Sequence, residues 1–291
     1  MQDQDSYDSG KRNAGAQRGR QWLIGVSVRW TWAARFQALL WLLATMCVPA
    51  CLAAEEHGVS VSVPILVYHR FGPTVADSMT VRTEIFVAQL KFLRDNGYTV
   101  VPLRQALNAL QGKGPALPAK AVAITVDDGH RTIYSELLPL IQREKIPVTL
   151  FIYPSAISNA DYAMTWQQLE QLRDTELFDI QSHTYWHPNF KIEKRRLAPE
   201  AYQSFVRNQL EKSRKTLKQR LAVDPDLLAW PFGIYDEELT AAARAAGYVA
   251  AFSIDAHHAH SGDNLMELPR YLMADTQGVK GFAKLLTEGK K

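Results

Sequence analysis

Cysteine is almost missing from this chain. Of 291 residues only Cys47 and Cys51 are cysteine, and both lie near the N-terminus. Everything beyond residue 54 therefore has no disulfide scaffold to fold around and no thiol to serve as nucleophile or metal ligand. An excess of charge of one sign is missing too. Residues 1–54 hold six basic and three acidic side chains, and taking these from totals of 33 and 30 leaves 27 of each. A balance of that kind has no electrostatic footprint for nucleic acid, which is not expected as a partner. Internal repeats and low-complexity linkers are absent as well. Residues 55–291 are expected to form one sizeable globular domain.

What is present begins with a distinct leader. Lys11, Arg12, Arg18, Arg20, Arg29 and Arg35 precede an uncharged stretch, residues 36–54, rich in Leu and Ala and carrying Trp41, after which come Glu55 and Glu56. A basic flank, an apolar core and small residues (Ala50, Ala53, Ala54) before an acidic start are the marks of an export signal. The positive flank would stay in the cytoplasm. The stretch also nearly reaches the roughly 20 residues of a bilayer span. Residues 1–54 are thus expected to be an export signal or an N-terminal membrane anchor. Localisation in the periplasm or cell envelope follows, with membrane association through this segment.

From residue 61 apolar β-like runs alternate with helical spacing. Strands are expected at residues 63–67, 98–101, 121–126, 148–153, 178–182, 227–230 and 248–254. Helices are expected at 83–96, 103–110, 132–144, 166–173 (capped by Thr165), 199–220 and 236–246. This alternation argues for an α/β fold on a parallel sheet, open or closed into a barrel.

The strand ends carry the chemistry. In such folds the active site is built where the strands terminate. His69, Asp127-Asp128, His183 and His187, Trp230-Pro-Phe-Gly233 and Asp255 all fall there. One Asp and two His make the three-ligand set of a catalytic zinc-type site, which keeps a position open for water. The remaining Asp is then available as a base. The i, i+4 spacing of His183 and His187 would put both on one face of a helical turn.

Three of these segments, Thr125-Val-Asp-Asp-Gly129, His183-Thr-Tyr-Trp-His187 and Trp230-Pro-Phe-Gly233, resemble the first three motifs of the polysaccharide deacetylases, carbohydrate esterase family four. Val67-Tyr-His-Arg70 and Leu268-Pro-Arg270 resemble its exported branch, which acts on N-acetylglucosamine polymers. The resemblance covers about residues 61–275 in the right order. It implies a distorted (β/α) barrel, one divalent metal (zinc, with cobalt or nickel as alternatives), Asp128, His183 and His187 as ligands, and Asp127 as base. It also implies that Trp230, Pro231 and Phe232 line the sugar groove, that a backbone N–H near Phe232 steadies the oxyanion, and that His69 is a groove residue. Poly-N-acetylglucosamine is the expected polymer, ahead of peptidoglycan or chitin oligomers, with polysaccharide export machinery as an associated partner.

The chain departs from the pattern in places. Ala229 stands where many members carry the Arg that orients the catalytic Asp, and Arg270 is the candidate to supply that charge instead. Asp255 is the counterpart of the fourth motif, without its aromatic follower. The fifth-motif histidine, the usual general acid, has no counterpart after Leu268. These gaps leave a rival: a weak or inactive carbohydrate-binding or assembly protein on the same fold.

Overall fold

The computed structural model describes residues 60–288 and, apart from these, Gly25. Apart from Gly25, the expected leader lies outside the described residues. Among the described residues no helix is long and apolar enough to cross a membrane.

Eight short strands form the main sheet: β1 (Ile65–Tyr68), β2 (Thr99–Val100), β3 (Ala121–Asp128), β4 (Val148–Ile152), β5 (Phe178–Ser182), β6 (Leu227–Ala229), β7 (Ala250–Phe252) and β8 (Tyr271–Leu272). Their order is β7-β6-β5-β4-β3-β1-β8, and β2 pairs with the start of β3. All the ladders are parallel. Phe252 of β7 makes a parallel bridge to Leu268, in the segment that leads into β8. That bridge draws the free edges of the curled sheet toward each other, giving the expected distorted barrel.

Helices connect the strands: α1 (Thr83–Asp95), α2 (Leu103–Leu110), α3 (Leu138–Glu144), α4 (Trp166–Asp174), α5 (Phe190–Arg196), α6 (Pro199–Leu221), α7 (Glu237–Ala245) and α8 (Gly278–Glu288). Parallel strands covered on both faces read as unbroken apolar runs, and β1, β3 and β4 are buried almost throughout. Ile65, Ala123, Phe151, Ala229 and Phe252 fill the barrel with Leu103 and Leu107 of α2. Leu66, Val126, Leu150 and Ile180 face the other way, against Phe86, Leu90, Leu169 and Leu217 of the helices.

Two local features differ from expectation. The helix expected over 132–144 begins as a π turn, Ile133–Leu137, before α3. Pro139 lacks the N–H that an α-helix would direct at the Ser135 carbonyl, and the wider turn absorbs the lost bond. The pattern also did not reveal α5, α8 or β8. α5 buries only Phe190 and Glu193, too little for a periodic signal.

Thr165 does cap α4, in a reciprocal capping box with Gln168. Thr165→Ala is expected to cost about 1 kcal/mol. Urea unfolding should show a lower midpoint with an unchanged slope.

Candidate active site

The pleat of β3 aims the first carboxylate. Ala121 and Ala123 face the barrel interior while Val122, Ile124 and Val126 face the helices, so Asp127 continues the inward row. Asp128 would then point outward. Its φ is 75°, in the left-handed region, and this turn brings its carboxylate back to the same mouth. Gly129 continues the turn at φ 82°; a Cβ there would lie 3.0 and 3.1 Å from the Cδ1 atoms of Ile152 and Ile157. The strand therefore ends in two adjacent carboxylates serving one site.

The histidines arrive from the end of β5. His183 Nδ1 lies 2.8 Å from the Ala229 carbonyl oxygen. A carbonyl only accepts, so Nδ1 carries the hydrogen and Nε2 presents a lone pair. That Nε2 is 3.6 Å from Asp128 Oδ1, and His187 Nε2 is 3.7 Å from the same atom. One ligand atom from each of Asp128, His183 and His187 falls within 4.8 Å of the others. Atoms held about 2.0–2.1 Å from a tetrahedral ion are roughly 3.3–3.4 Å apart. Both Asp128–imidazole separations are within a few tenths of an ångström of that spacing.

Residues 183–187 do not form the expected helical turn. Thr184 and His187 are both left-handed, at φ 63° and 61°. Ser182 Oγ accepts from the Thr184 N–H at 3.3 Å, and Thr184 Oγ1 from the His187 N–H at 3.2 Å. Gln209 of α6 takes the Trp186 N–H at 3.1 Å. Side-chain acceptors displace the helical hydrogen bonds here, and the folded-back loop, not a helix face, brings the imidazoles together.

Asp127 is bound by Arg270, whose Nη1 and Nη2 donate to Oδ1 and Oδ2 at 2.9 and 2.7 Å. Arg270 is fully buried. It also donates to Thr125 Oγ1 (3.1 Å) and to the Ser253 carbonyl (3.0 Å). Burial raises the Asp127 carboxyl, but the Arg270 charge, His183 and the Arg270 hydrogen bonds outweigh it and bring it down to about 2. His187 is pushed down to about 4, first by burial and then by His183. It is neutral at pH 7 and fit to bind a cation. His69, at the end of β1, is lowered chiefly by burial, against the pull of Asp127 and Asp128. Its Nδ1 is buried with no hydrogen-bond partner among the described residues.

Residues 114–251 match the family model for polysaccharide deacetylase. That matched stretch, which holds Asp127, Asp128, His183 and His187, resembles a polysaccharide deacetylase. The chain is 27% identical over 257 residues to the poly-beta-1,6-N-acetyl-D-glucosamine N-deacetylase of Escherichia coli K12; the match takes in 75% of this chain and 37% of that protein. The chain thus spans little more than a third of that relative's length. The fold is similar to that of IcaB from Ammonifex degensii (TM-score 0.69, 23% identity, 78% of this chain and 97% of that one). It is similar also to the Streptococcus pyogenes deacetylase PplD (TM-score 0.68, 18% identity, 78% and 98%).

Measured against the expected site, the fold brings Asp127, Asp128, His183, His187 and Arg270 together and sets His69 within their field. Trp230 and Pro231 are corrections. Trp230 is 1% exposed, donates Nε1–H to the Met266 carbonyl at 2.8 Å and packs on Phe190. Pro231 is buried beside it. An indole with a satisfied N–H belongs to the core and lines no groove. Phe232 alone of the three is open, 56% exposed, at φ 57° and with its ring 4.6 Å from that of His187.

Asp255 is exposed and accepts from Ser253 Oγ (2.7 Å) and Tyr235 Oη (3.0 Å). It reaches the site only through Ser253, whose carbonyl holds Arg270. Sequence reasoning missed Tyr153, whose ring lies 5.4 Å from His187 and 6.3 Å from His183. Its place just after β4 was the available signal.

Arg270→Met should cost about 3–5 kcal/mol of unfolding free energy at pH 7, because a buried carboxylate is left unpaired. The folded Asp127 carboxyl titrates below its unfolded value, so its contribution is present above about pH 4 and is lost as pH falls toward 2. Chemical unfolding from pH 7 to pH 2 should show the wild type losing stability in that window. The variant should lose this acid limb; an unchanged limb would contradict the pairing.

Proposed function

We propose that this protein is a metal-dependent hydrolase that removes N-acetyl groups from N-acetylglucosamine units of a polysaccharide. The observation that carries the reading is the juxtaposition of a three-residue ligand set with a separate, Arg-bound carboxylate, Asp127, whose Oδ2 is 3.8 Å from His183 Nε2. The name of the Escherichia coli relative favours poly-β-1,6-N-acetylglucosamine as the polymer.

A divalent ion held by Asp128, His183 and His187 would act as a Lewis acid, acidifying water and polarising the acetamide carbonyl. Asp127 explains why such help is needed. A carboxyl at about 2 is ionised at any working pH but is a weak base. It can accept a proton only from water made more acidic than usual. Arg270 holds that carboxylate ionised and fixes its orientation by gripping both oxygens. As water adds to the carbonyl carbon, Asp127 takes its proton; when the C–N bond breaks, the leaving nitrogen needs one. His69 is the remaining histidine coupled to both carboxylates, and its depressed basicity makes its protonated form a strong donor. Acetate and a free amine are the products. Phe232 offers an open aromatic face to the sugar beside His187.

Zinc is the favoured ion, since two imidazoles and one carboxylate suit it; cobalt and nickel accept the same ligands. Export to the periplasm or cell envelope, membrane association through the N-terminal segment and work beside polysaccharide export machinery belong to the same proposal.

The test is acetate released from a β-1,6-linked N-acetylglucosamine oligomer by the full chain, stripped with chelator and reloaded with zinc, cobalt or nickel. Release should require metal, and Asp127→Asn should lower it by roughly 10²–10⁴-fold. Release without metal, or at full rate in the variant, would sink this mechanism. Silence on this oligomer and on chitin and peptidoglycan fragments, with binding retained, would favour a carbohydrate-binding protein.

A further inference from the structure

Beside the metal-ligand set stands an aromatic pair with no part in the chemistry above. Tyr162 is 42% exposed, yet it is held on several sides. Its hydroxyl shares a 2.7 Å hydrogen bond with that of Tyr153. Its carbonyl accepts from the Arg131 N–H at 2.7 Å. Its ring lies 6.2 Å from that of His130 and within 9° of parallel to it. His130 directly follows Asp127-Asp128-Gly129 and is itself fixed, by a 2.9 Å contact from Nδ1 to Thr132 Oγ1 and by a bridge to Ala163.

A single exposed tyrosine is ordinary and needs no explanation. This one differs in two ways. Its ring is immobilised before any ligand arrives, so stacking on it forfeits little rotamer entropy. It is also joined to the site: Tyr153, which holds its hydroxyl, packs 5.4 Å from the His187 ring, and Phe232 packs 4.6 Å from the same ring. Ring contacts thus link the open face of Phe232, through His187 and the buried Tyr153, to the open face of Tyr162. Two open rings set apart by a buried one suit successive units of a sugar chain.

We propose that Tyr162 and His130 form a sugar-binding platform, a subsite that takes the apolar C–H face of a pyranose neighbouring the unit at the metal-ligand set. The identity of the ligand as an N-acetylglucosamine chain rests on the deacetylase reading; the platform itself rests on the rigid, exposed ring of Tyr162, backed by the half-buried His130.

Calorimetry on the chelator-treated full chain, with a β-1,6-linked N-acetylglucosamine pentamer and with N-acetylglucosamine itself, tests it. The wild type should bind the pentamer more tightly than the single sugar. Tyr162→Ala should reduce pentamer affinity about 3–10-fold, the size of one aromatic stacking contact, and so shrink the pentamer-to-monomer ratio. Tyr162→Phe keeps the ring and should restore the ratio. Thermal melts check that both variants fold. A wild type that prefers neither ligand, or an unchanged ratio in Tyr162→Ala, overturns the platform. So does an equal loss in Tyr162→Phe, which would trace the effect to the hydroxyl bond with Tyr153. Tyr162-dependent pentamer binding without acetate release would keep the platform and remove the deacetylase reading. Acetate release with Tyr162-independent binding would do the reverse.

Discussion

The buried ion pair between Arg270 and Asp127 is the constraint on which the rest of this molecule turns. Each charge costs several kcal/mol to take out of water, and only good geometry with full hydrogen bonding repays it. Here the guanidinium meets both carboxylate oxygens and spends its other donors on Thr125 Oγ1 and the Ser253 carbonyl. Those partners come from β3 and from the end of β7, while Arg270 itself lies in the segment that leads into β8. The pair therefore forms only when the last strand reaches β1 and the Phe252–Leu268 bridge draws in the sheet edge. Closing the barrel and readying the base are one event.

Around that pair the backbone is bent against its preferences. Eight non-glycine residues among those described have positive φ, and four of them, Asp128, Thr184, His187 and Phe232, belong to the site. Left-handed geometry costs of order 1–3 kcal/mol at each such residue. What it does is local and specific: it turns Asp128 back beside Asp127, folds the His183–His187 loop on itself, and stands Phe232 in the open against His187. Gln209 of α6 holds the loop directly, and Ser213 of α6 holds Ser182, the strand residue that accepts from Thr184. The strain is thus borne by a scaffold of hydrogen bonds and not by the ligand residues alone.

Much of this was legible in the chain. Nearly unbroken apolar runs marked β1, β3 and β4 because both faces of those strands are covered, and Thr165 marked the start of α4. Asp127-Asp128-Gly129 and the two histidines stood out because their residue types suit a cation and sat where strands end. Other features carried no such local cause. Residues 183 and 187 share a helical spacing but meet through a loop, since Ser182 and Thr184 hydroxyls outcompete the helix. Trp230 sits in a motif and yet packs in the core, because its N–H finds the Met266 carbonyl.

The sequence by itself determined the alternation of strands and helices, the inward row that ends in Asp127, and the kinds of side chain available for chemistry. These depend on pleat, periodicity and residue type, all properties of neighbours along the chain. Only the tertiary structure decided that Arg270 answers the Ala229 position, that Asp255 stands one contact away from the site, and that Tyr153 and Tyr162 join it. Each of those is a contact between strands or loops distant in sequence, and closure of the barrel, not local pattern, brings them within reach.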